Sequence, residues 1–73
     1  MRAVIIKVVS KGYNPAARYL TLDETYPAIR TEAGERDTLG RENLFTYYEL
    51  EDDYGVPCGI YKNYLGTVIH EVR

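Results

Sequence analysis

The chain has 73 residues, with nine basic and eleven acidic side chains and a formal net charge of −2, so we expect one domain with a modest core. This weakly acidic balance disfavours nucleic acid as the primary ligand, because such binders gain affinity from clustered basic groups that neutralise phosphates. The longest apolar run, residues 3–9, contains Lys7 and is too short to span a membrane. The single cysteine, Cys58, suits a reducing compartment, and we expect a cytoplasmic protein.

The N-terminal part of the chain alternates strand-like and turn-like segments. Residues 3–9 are rich in β-branched side chains and predict a first strand. Pro15 favours a single helical turn over residues 16–20, too short to be an independent helix. Residues 25–31 predict a second strand, in which Pro27 lacks the N–H of a ladder hydrogen bond and therefore indicates an edge position or a bulge.

Residues 32–43 have the least regular pattern in the chain. The segment is polar, carries Gly34 and Gly40, and contains Leu39 as its one apolar side chain of any size. This composition predicts a mobile surface loop. Residues 41–43 could alternatively form a short helical turn before the next strand.

The C-terminal part reads as a hairpin, a corner and a closing strand. Residues 44–50 and 56–61 predict two strands joined by a turn at 52–55, residues 62–65 predict the corner, and residues 67–72 predict the last strand. We therefore predict an all-β fold for the whole chain, 1–73: a small, strongly bent antiparallel sheet or small barrel of about five short strands, with at most a single helical turn.

The residue types needed for catalysis or metal binding are scarce. The only histidine, His70, lies in the closing strand without a nucleophile–base arrangement nearby in sequence. The acidic cluster at Glu49, Glu51, Asp52 and Asp53 lacks the ligand spacing of a calcium loop and reads as a solvated hairpin turn. We expect no enzyme, no cofactor and no metal site, and we expect Cys58 to pack as a small hydrophobic side chain.

Residues 59–65, Gly-Ile-Tyr-Lys-Asn-Tyr-Leu, resemble the end of an SH3 domain. In that family a glycine-led strand runs into a one-turn helix with an Asn-Tyr pair, followed by an aliphatic residue. The turn at 52–55 falls where the family places its distal hairpin. Lys62 replaces the family's proline, and the tryptophan of its peptide-binding platform is absent. The resemblance implies an SH3-like barrel and does not carry over the binding of proline-rich peptides.

In length and amino-acid composition the chain is also similar to a group of small regulators that bacteriophages encode. These regulators bind the RNA polymerase of the host. The shared traits are a short acidic chain rich in tyrosine, with eight tyrosines and one cysteine. This second resemblance rests on no motif, so it assigns no residue roles. It implies a regulator that works in the host cytoplasm.

Two function hypotheses follow. The first is a non-enzymatic regulator that occupies a surface of a larger protein complex, such as bacterial RNA polymerase, because tyrosine, arginine and an acidic rim are typical of protein interfaces. The second is a small nucleic-acid-binding barrel, with tyrosines that stack on bases while Arg18, Arg30, Arg36 and Arg41 follow the backbone. Since neighbouring strand residues face opposite sides, either Tyr47 or Tyr48 must belong to the core. The predicted contact residues are Tyr47, Tyr48, Glu51, Asp52, Asp53, Tyr54, Tyr64, Arg36 and Arg41.

Overall fold

The computed structural model describes residues 1–72 as one five-stranded antiparallel sheet with the strand order β4-β3-β2-β1-β5. The predicted all-β class is confirmed, and so is the single helical turn, a 3₁₀ turn at Pro15–Ala17 with Pro15 at its start. The sheet stays open, because β4 and β5 lie at its two ends and do not pair. The strands are β1 (Arg2–Ser10), β2 (Thr25–Thr31), β3 (Tyr47–Glu51), β4 (Pro57–Tyr61) and β5 (Val68–Val72).

The core lies on one face of this sheet, which curls around it. The Cα atoms extend over 28 × 24 × 21 Å, too thick for a flat single sheet, since even two stacked sheets lie only about 10 Å apart. The alternation in β1 buries Ile6 and Val8, while Ile5 and Val9 stay exposed. The buried apolar side chains are Ile6, Val8, Ala17, Leu20, Tyr26, Ala28, Tyr48, Leu50, Ile60 and Ile69.

The position of β2 corrects one prediction. Pro27 indicated an edge strand or a bulge, but β2 lies inside the sheet between β1 and β3. The pairing of β2 with β3 covers only Ile29, Arg30 and Thr31, whereas Pro27 pairs with Ile5 of β1. On its other side Pro27 has no strand partner, so the missing N–H is tolerated because the sheet opens there.

The loop after β1 and the corner after β4 are in close backbone contact. The N–H of Tyr13 donates to the carbonyl of Leu65 at 2.8 Å. A Cβ on Gly12 would lie 2.2 Å from that carbonyl oxygen and 2.6 Å from the carbonyl carbon of Gly66. Gly12 also has φ +53°, a left-handed conformation that side chains disfavour. Glycine is therefore required at this contact.

The segment 32–43, predicted to be a mobile loop, has an internal organisation around Asp37. This side chain is buried and accepts hydrogen bonds from the backbone N–H groups of Leu39 and Arg41 and from the side chain of Asn43. The N–H of Gly34 donates to the carbonyl of Asn43 at 2.8 Å. The alternative helical turn at 41–43 does not form, and the mobility of the segment stays a prediction.

Within residues 1–72 the only helical element is three residues long, so the described part of the chain contains no helix with the length and apolar character needed to cross a membrane.

Candidate protein-interaction surfaces

The structure distributes the predicted contact residues over separate regions instead of one patch. These regions lie at the two ends of the β3–β4 hairpin. Tyr47 pairs with Tyr61 at one end, and Glu51 pairs with Pro57 at the other. Tyr47, Tyr64, Arg36 and Arg41 lie at the first end or in the segment before it, and Asp52, Asp53 and Tyr54 form the turn at the second end.

At the first end, a cleft of about 480 Å³ is lined by four apolar or aromatic residues and by four polar or charged ones, Glu42, Asn43, Lys62 and Asn63. We call this surface the aromatic cleft and define it by Leu44, Phe45, Tyr61 and Tyr64, all of which line it. Leu44 is 78% exposed, Phe45 66% and Tyr64 52%. The rings of Phe45 and Tyr64 lie edge-to-face against Tyr61, with centroid distances of 6.4 and 6.0 Å. Such exposure of neighbouring large apolar groups is typical of a binding surface.

A chain of hydrogen bonds fixes the aromatic cleft to the segment before β3. The hydroxyl of Tyr61 donates to Oδ1 of Asn43 at 2.8 Å, and Nδ2 of Asn43 donates to Oδ2 of Asp37 at 3.0 Å. Asn43 is buried, so both ends of its amide are satisfied by protein groups. The hydrogen bond from Asn43 is the main reason why the pKa of Asp37 lies below its ordinary value. The charged carboxylate of Asp37 thus helps to hold the ring of Tyr61 in place.

Tyr47 adjoins the cleft and depends on a glycine across the hairpin. Its ring lies 4.7 Å from that of Tyr61, centroid to centroid. A Cβ on Gly59 would lie 1.6 Å from the Tyr47 hydroxyl oxygen, so the ring occupies space that only glycine leaves free. Burial raises the pKa of Tyr47, while the neighbouring charge of Arg41 lowers it in part. The side chain of Tyr47 is therefore neutral and half-buried beside the cleft.

Two of the predicted contact residues, Tyr48 and Arg36, have structural roles in the fold. Tyr48 is only 1% exposed and faces Arg30 and Ile60 across its neighbouring strands, so it is the core member of the Tyr47–Tyr48 pair. Arg36 donates from its guanidinium to the carbonyl of Gly40 at 2.7 Å, although it remains exposed.

At the opposite end of the hairpin, the acidic turn is bound into the fold instead of being only solvated. The Thr21 hydroxyl and the Tyr26 hydroxyl both donate to the carboxylate of Asp53 at 2.6 Å. These hydrogen bonds, with that from Thr21 the larger effect, lower the pKa of Asp53. Oδ1 of Asp52 accepts from the N–H groups of Tyr54 and Val56 and shapes the turn.

Tyr54 remains available on this turn. Its side chain is 76% exposed and lies edge-to-face against Tyr19 at 5.2 Å. The guanidinium of Arg18 lies 5.2 Å from the centre of the Tyr19 ring, a cation–π contact. Tyrosines therefore lie beside both acids and Arg18 at this turn, and beside Arg41 near the cleft.

The sequence did not reveal the apolar half of the aromatic cleft. The sequence predicts a strand that begins at residue 44 and includes Leu44 and Phe45, but β3 begins at Tyr47 and both side chains are exposed in the preceding loop. Aromatic and other strand-forming residue types continue from 44 to 50, so composition alone favours a strand there. One feature of the sequence could have indicated their exposure. The segment just before Leu44 is strongly polar, which is typical of a surface loop.

No group of three or more His, Cys, Asp or Glu side chains within 1–72 is arranged to hold a metal ion. Cys58 is half-buried against the core, and burial raises the pKa of its thiol, which disfavours the reactive thiolate. His70 is exposed on the edge strand β5.

Comparison of the chain with protein-family models, with curated proteins and with solved structures gave no match in any of the three.

Proposed function

We propose that this protein is a non-enzymatic regulator that binds a surface of a larger protein complex through the aromatic cleft. The observation that carries the proposal is the exposure of Leu44, Phe45 and Tyr64 around one cleft. The rings of Phe45 and Tyr64 pack edge-to-face against Tyr61 there. Aromatic side chains on a fixed support are the residues that dominate binding energy in protein interfaces. Because Tyr61 is anchored through Asn43, little side-chain entropy is lost when a partner covers it.

Bacterial RNA polymerase is the specific partner we propose, on the strength of the similarity to phage-encoded regulators. A weakly acidic protein, with a net charge of −2, is compatible with the basic surfaces that such nucleic-acid machines present. Regulation would follow from occupation of that surface in the cytoplasm of the host. We further propose an SH3-like architecture, which the meander from β1 to β4 and the return of β5 beside β1 support.

Two contacts favour the alternative of nucleic-acid binding, namely the proximity of Arg41 to Tyr47 and that of Arg18 to Tyr19. The ion pairs of two arginines, Arg30 and Arg41, weaken this alternative. Arg30 is largely buried and ion-paired with Glu32 and Glu71, and Arg41 is ion-paired with Asp37 at 3.4 Å. Arginines engaged in the fold are less available to neutralise phosphates. Protein binding is therefore the better-supported proposal.

The test is direct binding of the purified protein to purified bacterial RNA polymerase, measured by calorimetry in the absence of nucleic acid. Phe45→Ala and Tyr64→Ala are expected to weaken binding about tenfold or more each, as truncated interface anchors do. Tyr54→Ala is the matched control, since this exposed tyrosine lies at the other end of the hairpin. Unfolding curves of all three variants verify that the fold is retained.

The outcomes separate the competing interpretations. Loss of binding with Tyr54→Ala but not with Phe45→Ala would move the interface to the acidic turn and contradict the cleft. No binding by the wild-type protein would exclude RNA polymerase as the partner. Binding of a single-stranded oligonucleotide that is lost in Arg41→Gln would establish the nucleic-acid alternative instead.

A further inference from the structure

A second surface is the outer side of β5, at one end of the sheet. β5 pairs with β1 on one side, and within residues 1–72 no strand pairs with it on the other. No other backbone hydrogen bond of the described chain involves residues 68–72. All of these residues except Ile69 are exposed, and none of them is proline, so each keeps its backbone N–H. The outer side of β5 therefore presents free backbone donors and acceptors, which are a template for an added strand.

The other end of the sheet, β4, is less suited to pairing with a further strand. β4 packs against the 3₁₀ turn at Pro15–Ala17 and begins with Pro57, which has no N–H. The turn before β4 is also joined to the rest of the fold, because the N–H of Asp53 donates to the carbonyl of Tyr19 at 3.1 Å. An extended segment therefore meets fewer obstacles at β5 than at β4.

Apolar side chains lie on the outer face of the sheet at both ends of β5. At its C-terminal end, the strand register places Pro27 beside Ile5 and Ile5 beside Val72, so the three form a row across neighbouring strands. At its N-terminal end, Val68 lies on the same face as Val72 by strand alternation. Ile5, Val68 and Val72 are all exposed. Apolar groups of an added strand would cover them as cross-strand neighbours.

Between these two ends the outer face carries basic side chains. The strand register places Thr25 beside Lys7 and Lys7 beside His70. Lys7 has no ion pair among the described residues. Glu71 lies on the opposite face by strand alternation, where it is ion-paired with Arg30 at 2.6 Å. The middle of β5 is therefore complementary to a carboxylate on an added strand.

From this arrangement we infer that the outer side of β5 binds an extended segment of a partner protein in which an acidic residue lies between two apolar residues at alternate positions. The acidic residue lies opposite His70 and extends the row of Lys7, and the apolar residues lie opposite Val68 and Val72. Alternate positions are required because only every second residue of a strand faces one side of the sheet. The inference concerns a different surface from the aromatic cleft and does not depend on the proposed function.

A second copy of β5 is a poorer match for this edge. Antiparallel pairing of Val68 with Val72 would place His70 opposite His70 of the other copy, with a lysine behind each of them. Like charges directly opposite each other destabilise a sheet, whereas a carboxylate at this position is favourable. The charges of this face thus favour an acidic partner segment over self-association.

The experiment uses a short synthetic peptide with blocked ends, Thr-Val-Thr-Glu-Thr-Val-Thr, added to the full chain and followed by amide chemical shifts in NMR titrations. We expect saturable shifts centred on β5 and on Ile5 and Lys7 of β1. Two matched peptides test the side chains, one with lysine in place of glutamate and one with serine in place of valine. Both are expected to bind more weakly, because the first loses charge complementarity and the second loses apolar contact.

Two further peptides test the backbone pairing itself. They carry N-methyl groups on alternate nitrogens, in one phase or in the other. The N–H groups of an added strand point alternately towards its neighbour and away from it. One of these two peptides is therefore expected to lose binding, and the other is expected to keep most of it.

Variants of the protein test the basic row. Lys7→Gln is expected to weaken binding of the glutamate peptide about two- to fivefold, the range for an exposed charge pair, and to make binding less sensitive to salt. Lys62→Gln is the matched control, because this exposed lysine lies in the corner before β5.

The pH dependence of binding tests His70. Histidine gains its proton as the pH falls from about 7.5 to about 6, so the glutamate peptide is expected to bind more tightly at the lower pH. The charged groups of the neighbouring strands along this row are Lys7 and Glu24, the residue before β2, and neither is ion-paired. His70→Gln is expected to remove this increase in affinity.

Several outcomes would overturn the inference. They are the absence of saturable shifts with the glutamate peptide, equal binding of the lysine peptide, equal binding of the two N-methylated peptides, and shifts confined to strands other than β5 and β1. Self-association of the chain through β5, detected by sedimentation together with shifts of the same residues on dilution, would also overturn it.

Discussion

Replacement of Gly12 by alanine tests the backbone contact that brings the loop after β1 against the corner after β4. Two costs add at this position. The left-handed φ of +53° costs an alanine about 1–2 kcal/mol. The new Cβ, 2.2 Å from the Leu65 carbonyl oxygen, forces a backbone shift that costs about 1–3 kcal/mol more, as overpacking does. We expect a total loss of about 2–5 kcal/mol in the free energy of unfolding.

The matched control is Gly34→Ala. Gly34 also has a positive φ, +86°, but a Cβ there would meet nothing within 4 Å, so only the conformational cost of about 1–2 kcal/mol applies. Urea unfolding followed by tyrosine fluorescence measures both variants, since the chain has no tryptophan. With a slope of about 1 kcal/mol per molar urea for a small domain, the two midpoints differ by about 1–3 M. Equal midpoints would refute the requirement for glycine at this contact.

Three further predictions follow from the described contacts. Gly59→Ala is expected to displace the ring of Tyr47 and to lower the free energy of unfolding by about 1–3 kcal/mol. Urea unfolding measures the loss, and aromatic NMR signals report the ring. An unchanged Tyr47 spectrum would contradict this prediction. Ile60→Ala removes a fully buried side chain and is expected to cost about 2–5 kcal/mol in the same unfolding assay; a loss of less than about 1 kcal/mol would mean that the site collapses around the cavity. The pKa values of Asp37 and Asp53 are lower in the folded chain than their ordinary values. Both carboxylates therefore stabilise the fold at a pH above the unfolded pKa of about 4. This stabilisation is lost as the pH falls through the folded pKa values. Thermal unfolding between neutral and acidic pH measures the effect, and Asp53→Asn is expected to reduce the acid-dependent part of the loss; an identical pH dependence in the variant would contradict the role of Asp53.

The order of the strands along the chain could be predicted from the sequence because local pattern determines it. β-branched residues mark β1, and Asp52 and Gly55 separate β3 from β4. The position of β2 inside the sheet could not be derived, because Pro27 carries a local signal for an edge. Only the three-dimensional pairing shows that β2 is open on one side over half of its length.

The candidate site was predictable in part for a similar reason. Tyrosine content singled out Tyr47, Tyr54 and Tyr64, and alternation required either Tyr47 or Tyr48 to be core, as the burial of Tyr48 shows. The binding of Asp53 by Thr21 and Tyr26 joins residues 32 and 27 positions apart, and no short-range pattern reports such a contact. The sequence therefore suggested surface residues, whereas their grouping depended on long-range packing.

The strand order also has a consequence for how the chain folds. β1 is synthesised before the other four strands, yet one of its two partners is β5, and Ile5 pairs with Val72. The buried side chains of Ile6 and Val8 therefore gain their last neighbours only when β5 reaches β1. Contacts of such sequence separation close slowly. During synthesis, β1 remains a sheet edge with one side uncovered until β5 arrives, and at that stage the chain is most prone to aggregation.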